Sequence, residues 1–324
     1  MRKFLLALAA ALIVAAVVNP AAFAQSYPTR PVTLVVAFTP GGPSDILARI
    51  LGKKMSELLG EPFIVDNRPG AGGNLAAEMV ARATPDGYKL LMGNNSILAT
   101  NAALYSNIRY DVAKDFIPIS LVGLQANILV VNPKLPVKSM DELIALAKSK
   151  PGKLSYASSG YGAAAHLAAE LFKRDAKVQI EHIPYKGAAP ALQDVIAGQV
   201  DMMFATAASV SSHIKGGSVR ALAVTTPKRI AAFPDLPTID ELGFKGFDAT
   251  TWHGLVAPAG TPPAIVEKLN ATAVEALKDE EVRKQLARLG VDVVGSSQQE
   301  FADYIKAETP KWTAIVRDLG AKLD

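Results

Sequence analysis

The 324-residue chain contains no cysteine. This excludes disulfides, thiol nucleophiles, thiolate metal sites and a lipid anchored on cysteine. A chain of about 300 residues buries enough core to do without disulfides. Histidine is scarce, with four dispersed copies, so a histidine metal site is not expected. No Lys/Arg run exceeds two residues, and 34 basic residues stand against 30 acidic ones, so nucleic acid finds no electrostatic footing. There is no Gly-x-Ser-x-Gly elbow and no Gly-Lys-Ser/Thr phosphate loop. Beyond the first residues, no stretch is long and apolar enough to span a bilayer.

What is present begins with a leader. Arg2 and Lys3 precede an apolar run over residues 4–18, and Ala22-Phe23-Ala24 follows as an A-x-A cleavage site. This order is that of a secretory signal peptide, with cleavage expected after Ala24 and the periplasm as destination. The run is about 15 residues, short of the roughly 20 that cross a membrane. Arg2 and Lys3 are the only charges of residues 1–24, so their loss takes the net charge from +4 to near +2.

After Tyr27, short apolar runs alternate with amphipathic stretches. Residues 32–38, 62–66 and 88–93 read as strands, and 43–59 and 73–83 as helices. The pattern restarts with strands at 128–131, 154–157, 180–183, 201–204 and 220–225, and helices at 139–149, 162–173 and 190–197. Nearly continuous apolar strands separated by helices predict an α/β protein with parallel-rich sheets flanked by helices. Residues 116–131 and 247–258 are extended and apolar, and read as crossings between two lobes. The expected boundaries are 1–24 for the leader, 25–124 and 247–324 for the first lobe, and 125–246 for an inserted second lobe. The last segment reads as helices over 262–277, 281–289 and 298–319.

In α/β sheets, ligands collect at the carboxyl ends of strands beside helix N-termini. The first such turn is Phe38-Thr39-Pro40-Gly41-Gly42-Pro43-Ser44-Asp45. Its glycines let backbone N–H groups converge, and the next helix adds its positive end, which makes an anion cradle without Lys or Arg. The competing reading is a tight turn with Ser44 or Asp45 as a helix cap. Ser158-Ser159-Gly160-Tyr161-Gly162-Ala163-Ala164-Ala165-His166 repeats the form. His166 either meets a ligand or is a buried structural histidine. Pro184-Tyr185-Lys186-Gly187 offers an aromatic, a cation and a glycine together, and Lys186 either meets a carboxylate or stays solvated. Asn95 and Thr206 end two further strands with small polar groups. No nucleophile–base pair stands out, so the turns point to holding an anion rather than transforming it. No cofactor is implied.

These segments resemble the Bug family, the solute receptors of tripartite tricarboxylate transporters. The resemblance covers essentially the whole chain after the leader. It rests on Tyr27-Pro28-Thr29-Arg30-Pro31, on Pro40-Gly41-Gly42 with Asp45, and on Asn67-Arg68-Pro69-Gly70-Ala71-Gly72-Gly73. It continues through Pro85-Asp86-Gly87-Tyr88, Tyr156-Ala157-Ser158, Pro184-Tyr185-Lys186-Gly187 and Ala257-Pro258-Ala259-Gly260-Thr261-Pro262. It implies a two-lobed Venus-flytrap fold of the type II-like periplasmic binding-protein kind, usually monomeric. It further implies a small carboxylate (a di- or tricarboxylate, an acidic amino acid or an aromatic acid) in the interlobe cleft, membrane permease subunits as partners, and no catalysis. By position, Phe38, Gly41, Gly42 and Asp45 would form one side of the cleft. Ser158, Gly160, Gly162, His166, Tyr185, Lys186 and Gly187 would form the other, and strands near Val122 and Trp252 would serve as hinges. A sensory receptor reporting to a membrane kinase, and a periplasmic enzyme using the same cradle, are the alternatives.

Overall fold

The computed structural model describes residues 27–185 and 187–318. The leader, 1–24, lies outside the described residues. β1 (Val32–Val36) is almost wholly buried, which an unbroken apolar run allows when both faces are covered. The glycine turn then starts α1 (Pro43–Leu59), with proline at the first helical position, where its missing N–H is no loss. Gly60 closes that helix at φ 78, the left-handed cap that glycine adopts without strain. β2 (Phe63–Asn67), a short 3-10 turn (Ala71–Gly73), α2 (Asn74–Ala81) and β3 (Lys89–Asn94) follow. β3 runs directly into a buried π turn, Ser96–Thr100, continued by α3 (Asn101–Leu104). α4 (Val112–Asp115), capped by the Asp111 carboxylate, leads into β4 (Phe116–Gln125).

Ala126 alone separates β4 from β5 (Asn127–Val131), which opens a second sheet. The chain continues through α5 (Met140–Ser149), β6 (Ser155–Ser158), α6 (Ala164–Ala176), β7 (Glu181–Pro184), α7 (Ala188–Ala197), β8 (Met202–Thr206), α8 (Ala207–Lys215) and β9 (Arg220–Val224). Ser139 caps α5: its hydroxyl accepts the Glu142 N–H, while the Glu142 carboxylate reaches back to the Lys138 N–H. β10 (Thr251–Pro258) returns to the first sheet, followed by α9 (Pro263–Lys278), α10 (Glu280–Arg288), β11 (Val291–Val293) and α11 (Gln298–Asp318).

The result is a two-lobed α/β fold. The first sheet has the order β11-β4-β10-β3-β1-β2 and the second β7-β6-β8-β5-β9. Each contains a parallel trio, β2-β1-β3 and β7-β6-β8, as the βα alternation predicts. Each is extended by antiparallel strands that the sequence pattern does not distinguish. β10 inserts antiparallel between β3 and β4, and β5 pairs antiparallel with both β8 and β9. A strand buried on both faces reads the same in either direction, so composition carries no orientation signal there.

The two passages between the sheets are pinned to each other. Asn127 Nδ2 donates to Ala249 O at 3.1 Å and to Thr251 Oγ1 at 3.0 Å. The Asn127 N–H donates to Thr225 Oγ1, and that hydroxyl faces Ala249 O at 3.2 Å. All three side chains are buried. α11 packs across the first lobe, where the buried Glu308 carboxylate accepts the indole N–H of Trp252 at 3.1 Å and of Trp312 at 2.7 Å. Lys311 joins Glu308 to Asp248 near the return passage.

Candidate functional site

The first-lobe turn is braced from within. Gly41 sits at φ +80, and its N–H donates to Asp45 Oδ2 at 2.8 Å. Asp45 is 2 % exposed and is held by Arg49, with Nε 3.0 Å from Oδ2 and Nη2 2.9 Å from Oδ1. Burial works to raise the Asp45 pKa, but hydrogen bonds from Arg49, Gly41 and Asn67 outweigh it and hold the carboxyl below its usual value. The Asn67 amide also donates to Phe38 O at 3.0 Å, which ties β2 to this turn. The Gly41 N–H is therefore committed to the protein. The N–H groups of Ser44 and Asp45, at the head of α1, have no backbone acceptor among the described residues. They are the donors that this turn offers to an anion.

The second-lobe turn is built on histidine. Gly160 and Gly162 adopt φ +127 and φ +74. The Gly162 N–H donates to His166 Nδ1 at 3.1 Å, which gives the buried His166 a structural task. The His166 ring stacks on His182 with centroids 4.4 Å apart, and His182 stacks in turn on Tyr156 at 4.7 Å. Tyr161 meets both histidines edge-on. Ser158 Oγ lies 2.7 Å from His182 Nε2 and also accepts the Gly160 N–H. This is nucleophile–base spacing, yet no carboxylate orients the ring, because His182 Nδ1 is buried and unpartnered. Here too the glycine N–H groups are used internally, and the first N–H groups of α6, from Ala164 and Ala165, have no backbone acceptor among the described residues.

The lobes touch across these elements. Ser96 Oγ donates to Gly162 O at 3.2 Å, and the α-carbon of Gly162 abuts Leu104. Ser158, Gly160, Gly162, His166 and Tyr185 form one cluster, in which the Tyr185 N–H donates to Ser158 O and its hydroxyl to Asp194 at 2.5 Å. Phe38, Gly41, Gly42 and Asp45 form another, and Asn95 lies beside Ser96 at the contact between them. Gly187 heads α7 at φ +126. Thr206 instead bonds Ser209 and pairs with Asn127, on the side of the passages. Lys186 lies outside the described residues. One residue at this site carries no signal in the sequence: His182 is an isolated histidine on a strand, whereas Ala164 and Ala165, which contribute only backbone, fall in the turn that the sequence marks as a helix start.

Burial also sets a pH response. Desolvation lowers His166, His182 and His253 from 6.5 to about 4, with His166 adding to the effect on His182. The unfolded chain protonates these rings at a pH where the folded chain keeps them neutral. The stability is complete above about pH 6.5 and is lost as the pH falls toward 4. Urea denaturation at pH 7, 5.5 and 4.5 should show a loss on the order of 1–3 kcal/mol for each histidine. A flat profile would contradict this packing.

Two α/β lobes joined by adjacent passages, each with a helix following a glycine turn, have the architecture of solute-binding receptors. A family model described as the tripartite tricarboxylate transporter family receptor matches residues 47–321. Protein BugT of Bordetella pertussis is 39 % identical over 301 residues, covering 93 % of this chain and 92 % of the relative. The structure of R. palustris Rpa4515 with adipate superposes with a TM-score of 0.86 at 39 % identity, over 92 % of this chain and 100 % of that one. MatC from Rhodopseudomonas palustris with bound malate gives 0.81 at 35 % identity, over 90 % and 100 %. The chain belongs to the tripartite tricarboxylate transporter receptor family.

Proposed function

We propose that this protein captures a small carboxylate in the cleft between its lobes and delivers it to the membrane permease subunits of a tripartite transporter. The observation that carries the reading is the pair of helix starts, α1 and α6, each with leading N–H groups that no backbone acceptor engages among the described residues, on lobes that touch through Ser96 and Gly162. Such a site favours an anion by dipole and hydrogen bond rather than by ion pairing. The ligands of Rpa4515 and MatC, adipate and malate, are both carboxylates, which supports the class.

In this reading the ligand meets the turns carrying Phe38, Gly41, Gly42 and Asp45 and those carrying Ser158, Gly160, Gly162, His166, Tyr185, Lys186 and Gly187. Asn95 and Thr206 lie at the cleft floor and its hinge side. Lobe one comprises residues 25–124 and 247–324, and lobe two residues 125–246. Val122 and Trp252 are locked inside the first sheet, so the bending falls at Ala126 and at Thr250, where the passages leave it. The protein acts as a periplasmic monomer after cleavage at Ala24 and performs no catalysis. His182, held neutral and without an orienting carboxylate, braces Ser158 rather than activating it.

Thermal denaturation of the mature protein, stripped of ligand by unfolding and refolding, tests the reading against a panel of carboxylates. A ligand at 100 times its Kd adds about 2.7 kcal/mol, which raises Tm by several degrees. A panel without any shift, with phosphorylated or uncharged compounds responding instead, would refute it.

A further inference from the structure

Two buried side chains on the first-lobe side of the cleft hold hydrogen-bonding atoms that nothing among the described residues engages. Asn95 is 0 % exposed, and neither its Oδ1 nor its Nδ2 has a partner. His253 is 1 % exposed, with Nδ1 at 3.3 Å from Ser44 Oγ and Nε2 unpartnered. Enclosing such atoms unpaired is unfavourable, and a bound ligand that supplies the missing bond is one explanation for it. Their placement fits that explanation. His253 on β10 sits directly across from Asn94 on β3. Asn95 is the next residue, and Ser96 after it bonds Gly162 of the opposite lobe. Ser44, which His253 touches, stands at the head of α1. His253 thus stands beside the first-lobe helix start, and Asn95 precedes the residue that meets the opposite lobe.

Of the other buried unpartnered atoms, Asp45 Oδ1 lies 2.9 Å from Arg49 Nη2, and the other two are Gln125 Oε1 and His182 Nδ1. The Gln125 amide is tied to Leu289 O beside the passages, and His182 is sandwiched between Tyr156 and His166.

We propose that Asn95 and His253 are the specificity-determining pair of this receptor and hold the distal carboxylate of a linear dicarboxylate whose first carboxylate lies at the helix starts. The inference rests on the carboxylate-receptor reading and deepens it. The positive end of α1 favours a lone pair facing Ser44, which places the imidazole proton on Nε2 as a donor. The Asn95 amide supplies a second donor. Two neutral donors suit a carboxylate. An ammonium group would find no counter-ion, because no acidic side chain contacts either residue among those described, and the nearby Asp45 is already paired with Arg49. Amino-bearing diacids are accordingly disfavoured.

Titration calorimetry on the stripped mature protein tests this with succinate, glutarate and adipate, each against the monocarboxylate of equal carbon number: butyrate, pentanoate and hexanoate. The wild type should favour one diacid over its monoacid by at least about tenfold. His253→Phe, which keeps a ring but removes both nitrogens, and Asn95→Leu should each weaken the diacid about tenfold or more while moving the monoacid less than about threefold. Asn95→Asp keeps the side-chain size and should oppose the diacid by charge while sparing the monoacid. It also serves as the reporter if Asn95→Leu fails to give a cooperative melt. Equal losses for diacid and monoacid, unchanged diacid affinity in the variants, or a wild type without diacid preference would each overturn the proposal while leaving a carboxylate receptor in place. A wild type that binds none of the six acids, nor any other carboxylate in the thermal panel, would instead overturn the receptor reading on which it stands.

Discussion

Gly162→Val should weaken carboxylate binding by about a hundredfold, on the order of 3 kcal/mol, while leaving the first lobe intact. Gly162 adopts φ +74, a conformation that a β-branched residue strongly resists. A Cβ there would also run into Leu104 Cδ2, and Leu104 belongs to the opposite lobe and is fully buried. The added group therefore acts where the lobes come together. The same residue donates its N–H to His166 and accepts the Ser96 hydroxyl, so displacing it also disturbs the start of α6. Calorimetry reads the affinity, and small-angle scattering with and without ligand reads the separation of the lobes. Wild-type affinity together with ligand-induced compaction in the variant would show that closure does not pass through this contact.

Glu308→Ala should lower global stability by about 3–5 kcal/mol, which lowers Tm by roughly 10 °C. Its carboxylate receives two indole N–H groups from Trp252 and Trp312, both fully buried, and an ammonium from Lys311. Truncation strands both indole donors inside the core. Glu308→Gln keeps one carbonyl acceptor and should recover part of the loss. Differential scanning calorimetry separates the three proteins, and an alanine variant as stable as the wild type would mean that the two tryptophans find other acceptors.

The extent of sequence legibility followed the range of the interactions involved. α1 was readable almost to the residue because Pro43 and Gly60 mark its ends by local backbone chemistry. Ser139 was readable as a cap for the same reason. The six-stranded sheet was less so, because the antiparallel entry of β10 between β3 and β4 depends on partners far away in the chain. The site divided along the same line. Its turns were visible as glycine between strand and helix. The expectation that Gly41 would offer its N–H to an anion did not allow for Asp45, four residues on, which takes that bond in the folded turn. The stacking of His166 on His182 joins a helix to a neighbouring strand, and no spacing in the sequence announces it.

The position of β10 also bears on the order of assembly. β3 and β4 are consecutive strands in the chain, yet they cannot become neighbours, since β10 must enter between them after the whole second lobe has been made. The second sheet uses only strands from one continuous stretch, β5 to β9, and can close without help from either end of the chain. Contacts of short sequence range form faster than those requiring large loops to close. The inserted lobe should accordingly acquire amide-exchange protection first, with the lobe built from the first and last described segments left incomplete until β10 and the helices after it arrive.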